Sequence, residues 1–167
     1  MAVIDIGPGA IDRAGLSGNN YTVIDLANPS NDTGWLTSFE VWLSVAGSNG
    51  TGVKMGVFSG SGHNYDDRDY ETIGTVTIGS KQTFTGKNCD VSLGDFLGIY
   101  TITGAPEIGS SGGSGYEYLS GDKFGSGVLT YTGAAGYVQS VYATGSTDAP
   151  STTVMPIFMH HYLNNAG

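Results

Sequence analysis

A chain of 167 residues that is 39% hydrophobic and only 13% charged is too apolar to stay disordered. As a single domain it is long enough to bury about two-thirds of its unfolded surface. Its net charge of −9, from 15 acidic and 6 basic residues, argues against nucleic acid and anionic membranes as partners. A single cysteine, Cys89, excludes an intrachain disulfide and a zinc site built on several thiolates.

The first nine residues carry no basic segment, and their apolar run is too short for a signal peptide, so synthesis in a cytoplasm without a secretory signal is expected. Ala2–Ile6 is a short strand candidate. Gly7-Pro8-Gly9, Gly15 and Gly18-Asn19-Asn20 then interrupt the chain, and residues 1–20 read as an extended arm ahead of one domain over 21–167. Tyr21–Leu26 is a strand that ends in the turn cluster Asn28-Pro29-Ser30-Asn31-Asp32. Trp35–Val45 alternates, with Trp35, Phe39, Val41, Leu43 and Val45 on one face and Ser38, Glu40 and Ser44 on the other. Val53–Phe58 follows after a glycine-rich reversal and makes a hairpin with it.

Residues 59–69 are polar and read as a loop, followed by strands at Thr72–Ile78 and Gln82–Thr85. The stretch Val91–Tyr100 organises the rest. Gly94-Asp95 turns the chain, and Phe96, Leu97, Ile99 and Tyr100 then place apolar side chains on both faces of one strand, running on to Thr103. Such a strand belongs in the middle of a sheet with both faces covered, and Gly98 inside it marks a bulge or a close approach by a neighbour. Tyr116–Leu119, Val128–Thr132, Tyr137–Ala143 and Val154–Tyr162 complete the set. About eleven strands without an amphipathic helix predict an all-β chain, a single antiparallel β-sandwich of jelly-roll type.

Few residues offer chemistry. The acidic cluster Asp66, Asp67 and Asp69 is a weak calcium candidate, since calcium takes several carboxylate and carbonyl oxygens. A solvated loop with Asp–Arg pairing through Arg68 is the simpler reading, so no metal or other cofactor is expected. His160 and His161 are adjacent and would point to opposite faces of a strand. No Ser/His/Asp pattern shows a nucleophile elbow, and nothing places two of Glu40, Glu71, Glu107 and Glu117 together as a glycosidase would need. No catalytic residues are therefore assigned. Aromatic residues are the better interface or ligand candidates: Trp42 on the wet face of its strand, Tyr116 and Tyr118 on one face of theirs, and Tyr65 and Tyr70 beside the acidic cluster.

Several motifs share one pattern: Ile11-Asp-Arg-Ala-Gly15; Asn28-Pro29 with Gly34 and Thr37-Ser38; Arg68–Thr77; Gly79–Thr85; and Gly94-Asp-Phe-Leu-Gly-Ile-Tyr100. Over residues 5–143 the chain resembles a glycine- and threonine-rich domain family of tailed-bacteriophage structural proteins. The resemblance implies a non-enzymatic virion component, a capsid decoration protein on the outer shell or a tail-associated protein. It carries over no catalytic or binding residues. Identical subunits usually close into symmetric rings, and local threefold axes on a shell point to a homotrimer. The expected partner is the major capsid protein or another virion component, gripped by the arm Met1–Asn20, whose removal would leave the sandwich folded. The alternative is a carbohydrate- or receptor-binding sandwich module, with glycans as ligands of the exposed aromatics.

Overall fold

The computed structural model describes residues 2–46 and 48–148. Fourteen strands follow in chain order among them. They are β1 (Val3–Ile6), β2 (Gly15–Leu16), β3 (Tyr21–Asp25), β4 (Gly34–Trp42), β5 (Gly50–Ser61), β6 (Asn64–Val76) and β7 (Lys81–Val91). The second half adds β8 (Phe96–Tyr100), β9 (Glu107–Gly109), β10 (Tyr116–Ser120), β11 (Leu129–Thr130), β12 (Thr132–Ala134), β13 (Val138–Gln139) and β14 (Val141–Ser146). The chain is all-β and antiparallel, with a four-stranded sheet β1-β14-β4-β7 facing a seven-stranded sheet β11-β6-β5-β8-β3-β10-β12. A small third sheet is ordered β13-β9-β2. The candidate strand Val154–Tyr162 and the pair His160-His161 lie outside the described residues.

β8 occupies the centre of the seven-stranded sheet, as its unbroken apolar run predicts. Leu97 and Ile99 face the four-stranded sheet and join the sandwich core. That core takes Ile4, Ile6, Leu36, Phe39, Val41, Val141 and Ala143 from the opposite layer. Phe96 and Tyr100 point the other way, into a second core with Ile24, Phe58, Tyr65, Phe124 and Tyr131. This second core exists because the large sheet nearly closes on itself. Leu129 and Thr130 pair with β6, and Thr132–Ala134 pair with β10, so one short stretch of chain bridges the two edges. One layer of the sandwich is therefore a small barrel filled with aromatic rings. Gly98 sits opposite Gly56 in the ladder, and the ring of Phe58 lies where a Cβ on Gly98 would project. The glycine makes room for a ring that is itself fully buried.

The expected hairpin of Trp35–Val45 with Val53–Phe58 does not form, since β4 pairs with β7 and β14 in one sheet and β5 with β6 and β8 in the other. Four further expectations are corrected. Residues 59–69 are not a loop: β5 and β6 run through them as a long hairpin whose turn is Gly62-His63, with Gly62 at positive φ. Trp35 does not face the core with Phe39. The β4–β7 register shifts between Leu36 and Ser38, so Leu36 is buried and Trp35 lies half-buried on the outside. Val45 falls beyond the end of β4 and is exposed.

The last correction concerns the arm. β1 pairs with β14 along Val3–Ile6, and Ile4 and Ile6 are fully buried. The next residues are also tied down. The Arg13 guanidinium donates to the Gly9 carbonyl at 2.8 Å and to Ser140 Oγ at 2.9 Å, and the Arg13 amide donates to Glu107 Oε2 at 2.6 Å. This stretch is built into the fold rather than extended from it. The outer edge of β1 is stoppered by the turn after β3. Asn31 Oδ1 accepts from the Asp5 amide at 2.9 Å, and Asn28 Nδ2 donates to the Gly7 carbonyl at 2.9 Å. Filled edges of this kind oppose strand addition by another chain.

Candidate functional site

β10 alternates cleanly. Glu117 is buried on one face, while Tyr116 and Tyr118 stand half-buried on the other. Pairing of β10 with β3 puts Tyr118 opposite Val23 and Ser120 opposite Tyr21, so Tyr21 shares the tyrosine face. Tyr137 enters from the segment before β13. The result is a row, Tyr21–Tyr118–Tyr116–Tyr137, with ring centroids 5.8, 5.9 and 5.7 Å apart. The rings meet at 75°, 59° and 57°, so they form a tilted ridge and not a flat platform. A notch of about 100 Å³ opens between Tyr21, Tyr116, Tyr118 and Ser17, and a cleft of about 300 Å³ lies beyond Tyr137, beside Ser110 and Leu16. Burial, with Tyr137 and Tyr118 alongside, pushes the Tyr116 hydroxyl above its ordinary range, which keeps it a neutral donor. Phenol faces with hydroxyls at their rims suit a sugar ring or an extended peptide.

The other aromatic candidates disperse. Trp42 lies half-buried on the outer face of the four-stranded sheet, opposite Lys81, whose Nζ is 3.2 Å from Glu40 Oε2. Tyr65 is only 3% exposed and stands edge-on to Phe96 and Tyr131 inside the barrel, so it is a core residue and not a surface one. Tyr70 is exposed at its rim and packs on Phe124 with centroids 5.0 Å apart, and Lys54 Nζ sits 5.0 Å from its ring centroid.

The acidic cluster is a seam. As strand residues, Asp66 and Asp67 point to opposite faces. Asp67 Oδ2 accepts from the Gly125 amide at 2.9 Å, whereas Asp69 Oδ2 and Glu71 Oε1 accept from the Asp90 and Asn88 amides of β7 at 2.9 and 3.0 Å. Arg68 clamps Asp95 with both Nε and Nη2, at 2.5 and 3.2 Å. Asp69 and Glu71 thus satisfy edge amides of β7 while Asp67 turns to the loop at Gly125, and the carboxylates do not converge. Among the described residues no three His, Cys, Asp or Glu side chains gather around one point. Adding EDTA is accordingly expected to leave the melting temperature unchanged. A calcium-dependent rise of several degrees would contradict this, because a bound ion stabilises the state that binds it.

The four glutamates considered as catalytic candidates are also separate. Glu40 pairs with Lys81, Glu71 with Lys87 at 3.7 Å, Glu107 with the Arg13 amide, and Glu117 with His63. The last pair was not legible in the sequence. His63 at the hairpin tip reaches the buried Glu117 carboxylate, with Nδ1 2.9 and 3.0 Å from its two oxygens. The tip carbonyl of His63 also accepts from the Tyr131 amide at 2.7 Å, so this contact fastens the hairpin to the strand that closes the barrel.

No protein-family model, curated protein or solved structure matches this chain.

Proposed function

We propose that this chain is a non-enzymatic structural component of a bacteriophage particle, a decoration protein on the outer capsid surface or a tail-associated protein. The observation that supports it is where the family-like motifs fall. They are frame residues: Asn28 stoppers the edge of β1, Arg68 clamps Asp95, and Gly98 admits Phe58. A motif set spent on architecture suits a protein whose task is to hold a shape on a particle. In this reading the subunits close into a trimer and dock on the major capsid protein or another virion component. The acidic surface favours a shell exterior over a DNA-facing interior. The test is labelling of phage particles by antibody raised against the purified chain, with mass spectrometry of the same particles. Regular labelling at fixed stoichiometry supports the proposal; particles free of the chain overturn it.

The tyrosine row favours a second reading, a carbohydrate- or receptor-binding module on the same scaffold. Retention on a glycan array that is lost with Tyr118→Ala, in a protein absent from particles, would select it.

A further inference from the structure

One end of the molecule differs from the rest in charge. The loops that follow β2, β4, β6 and β8 meet there. Leu43 bridges to both Ile78 and Pro106, and Thr51 bridges to Thr103. The Ser17 amide donates to the Pro106 carbonyl at 2.9 Å, the Asn20 amide to the Thr101 carbonyl at 2.7 Å, and the Ser44 amide to the Ala105 carbonyl at 3.0 Å. Residues 16–20, 43–46, 48–52, 75–80 and 101–106 contain no Asp, Glu, Lys, Arg or His, in a chain with 15 acidic residues. Of the charges bordering this end, Lys81 is matched by Glu40 at 3.2 Å and Lys54 by Asp122 at 2.6 Å, while Lys123 lies beside Gly121, whose amide donates to the Asn20 carbonyl. The opposite end carries Asp32, Asp90 and Asp148, beside the Arg68–Asp95 pair.

Three large apolar side chains meet water at the neutral end, among uncharged Asn, Ser and Thr residues such as Asn19, Ser48, Thr51 and Thr77. Val45 is 69% exposed, Ile102 52% and Leu16 48%. A cleft of about 200 Å³ opens at Leu16, lined by Ala46, Gly104 and Ala105 and by the polar Ser17, Asn19 and Ser48. Exposed branched side chains around a concavity are the usual make-up of an interface centre. Charge decides the occupant. Two copies that met through any acidic face would place like charges together and strip them of water. Here identical copies can meet with neither cost.

We propose that this neutral end is the self-association surface, where second and further copies of the chain pack end to end about a closed symmetry axis. The inference rests on the reading of the chain as a self-assembling virion subunit, and it names the surface that does the assembling. The edges of the four-stranded sheet do not compete for this role, since Asn28 and Asn31 occupy one and the carboxylates of β6 the other.

The test is sedimentation velocity of the full chain over a wide concentration range, with Val45→Asp, Ile102→Asp and, as control, Leu93→Asp. Leu93 is 69% exposed and follows Val91 and Ser92 at the acidic end. A defined oligomer is expected for the wild type. Val45→Asp and Ile102→Asp are each expected to weaken it at least about tenfold, while Leu93→Asp leaves it unchanged. Circular dichroism of each variant checks that the fold is kept. Added salt should not dissociate the wild type, because no ion pair holds the contact. A wild type that is monomeric throughout, or that loses its oligomer equally with Leu93→Asp, overturns the inference. A monomer that still labels particles sinks this surface alone; an oligomer with these sensitivities that is absent from particles sinks the virion reading alone.

Discussion

A chain lacking residues 2–18 is expected to show no cooperative unfolding transition. The deletion removes β1 from the four-stranded sheet and takes Ile4 and Ile6 out of the sandwich core. Losing a buried isoleucine side chain costs about 2–5 kcal/mol, and two of them approach the whole stability of a domain, about 5–15 kcal/mol. The deletion also takes the Arg13 guanidinium from Ser140 Oγ and leaves the buried Glu107 carboxylate without the Arg13 amide it accepts from. Tyr142 Oη would lose Asp5 Oδ2, which it now reaches at 2.7 Å. Ile6→Ala alone, a milder variant, should fold and lose about 2–5 kcal/mol in urea titrations, with the slope of the transition kept. A truncated chain that melts cooperatively at the wild-type midpoint would show that β1 is dispensable. A consequence follows for function. Loss of particle binding in this truncation would report unfolding, so contact with a capsid has to be probed by surface substitutions instead.

What the sequence discloses follows from how local each feature is. β8 was legible because a strand with apolar residues at successive positions has one stable place, the middle of a doubly covered sheet. The barrel was not. Its closure depends on Leu129–Ala134 spanning the gap between β6 and β10, and nothing in the pattern of these residues says which edges they join. The first half of β6 reads as a loop because Asp66, Asp67, Arg68 and Asp69 look like a solvated run, whereas its second half is legible from Thr72 on. The charges of Asp67, Asp69 and Arg68 are in fact used against amides and a carboxylate on neighbouring elements, at Gly125, Asp90 and Asp95. Simple alternation puts Trp35 on the face of Phe39, but the phase of β4 changes at the bulge near Thr37.

The tyrosine row shows the same limit. Tyr116 and Tyr118 share a face by the period of a strand, so their pairing could be read directly. Tyr21 joins them only through the β3–β10 register, and Tyr137 only through the return of the chain before β13. Gly62-His63 has the glycine-polar pair that a two-residue hairpin turn takes, although the polar residues on either side hide the strands it joins. That signal locates His63 without naming Glu117 as its partner. Long-range partners are set by register, and register lies in no single segment.

Replacing Asp25 with asparagine should flatten part of the pH dependence of stability. Asp25 is buried near the junction of β3 with the tyrosine face, where Oδ2 accepts from the Gln139 amide at 2.6 Å and Oδ1 from the Ala27 amide at 2.7 Å. Burial raises its pKa from 3.8 to about 6, against the pull of those two amides and of Arg13 in the other direction. Between these two values the folded chain holds the proton more tightly than the unfolded chain. Stability from this group is therefore complete below the unfolded value and is lost as pH rises through about 6. A shift of this size corresponds to about 3 kcal/mol. The substituted side chain would not titrate. It would turn a donor toward one of the two amides, a cost of about 1–3 kcal/mol that is the same at every pH. The difference in unfolding free energy between wild type and Asp25→Asn should therefore move in favour of the variant by up to about 3 kcal/mol between acid and neutral conditions. Urea titrations of both proteins below pH 4 and above pH 7 measure it, and the other carboxylates cancel in the comparison. Parallel pH profiles would mean that the amides and Arg13 already offset the burial of Asp25. Its role would then be limited to joining β3 to β13.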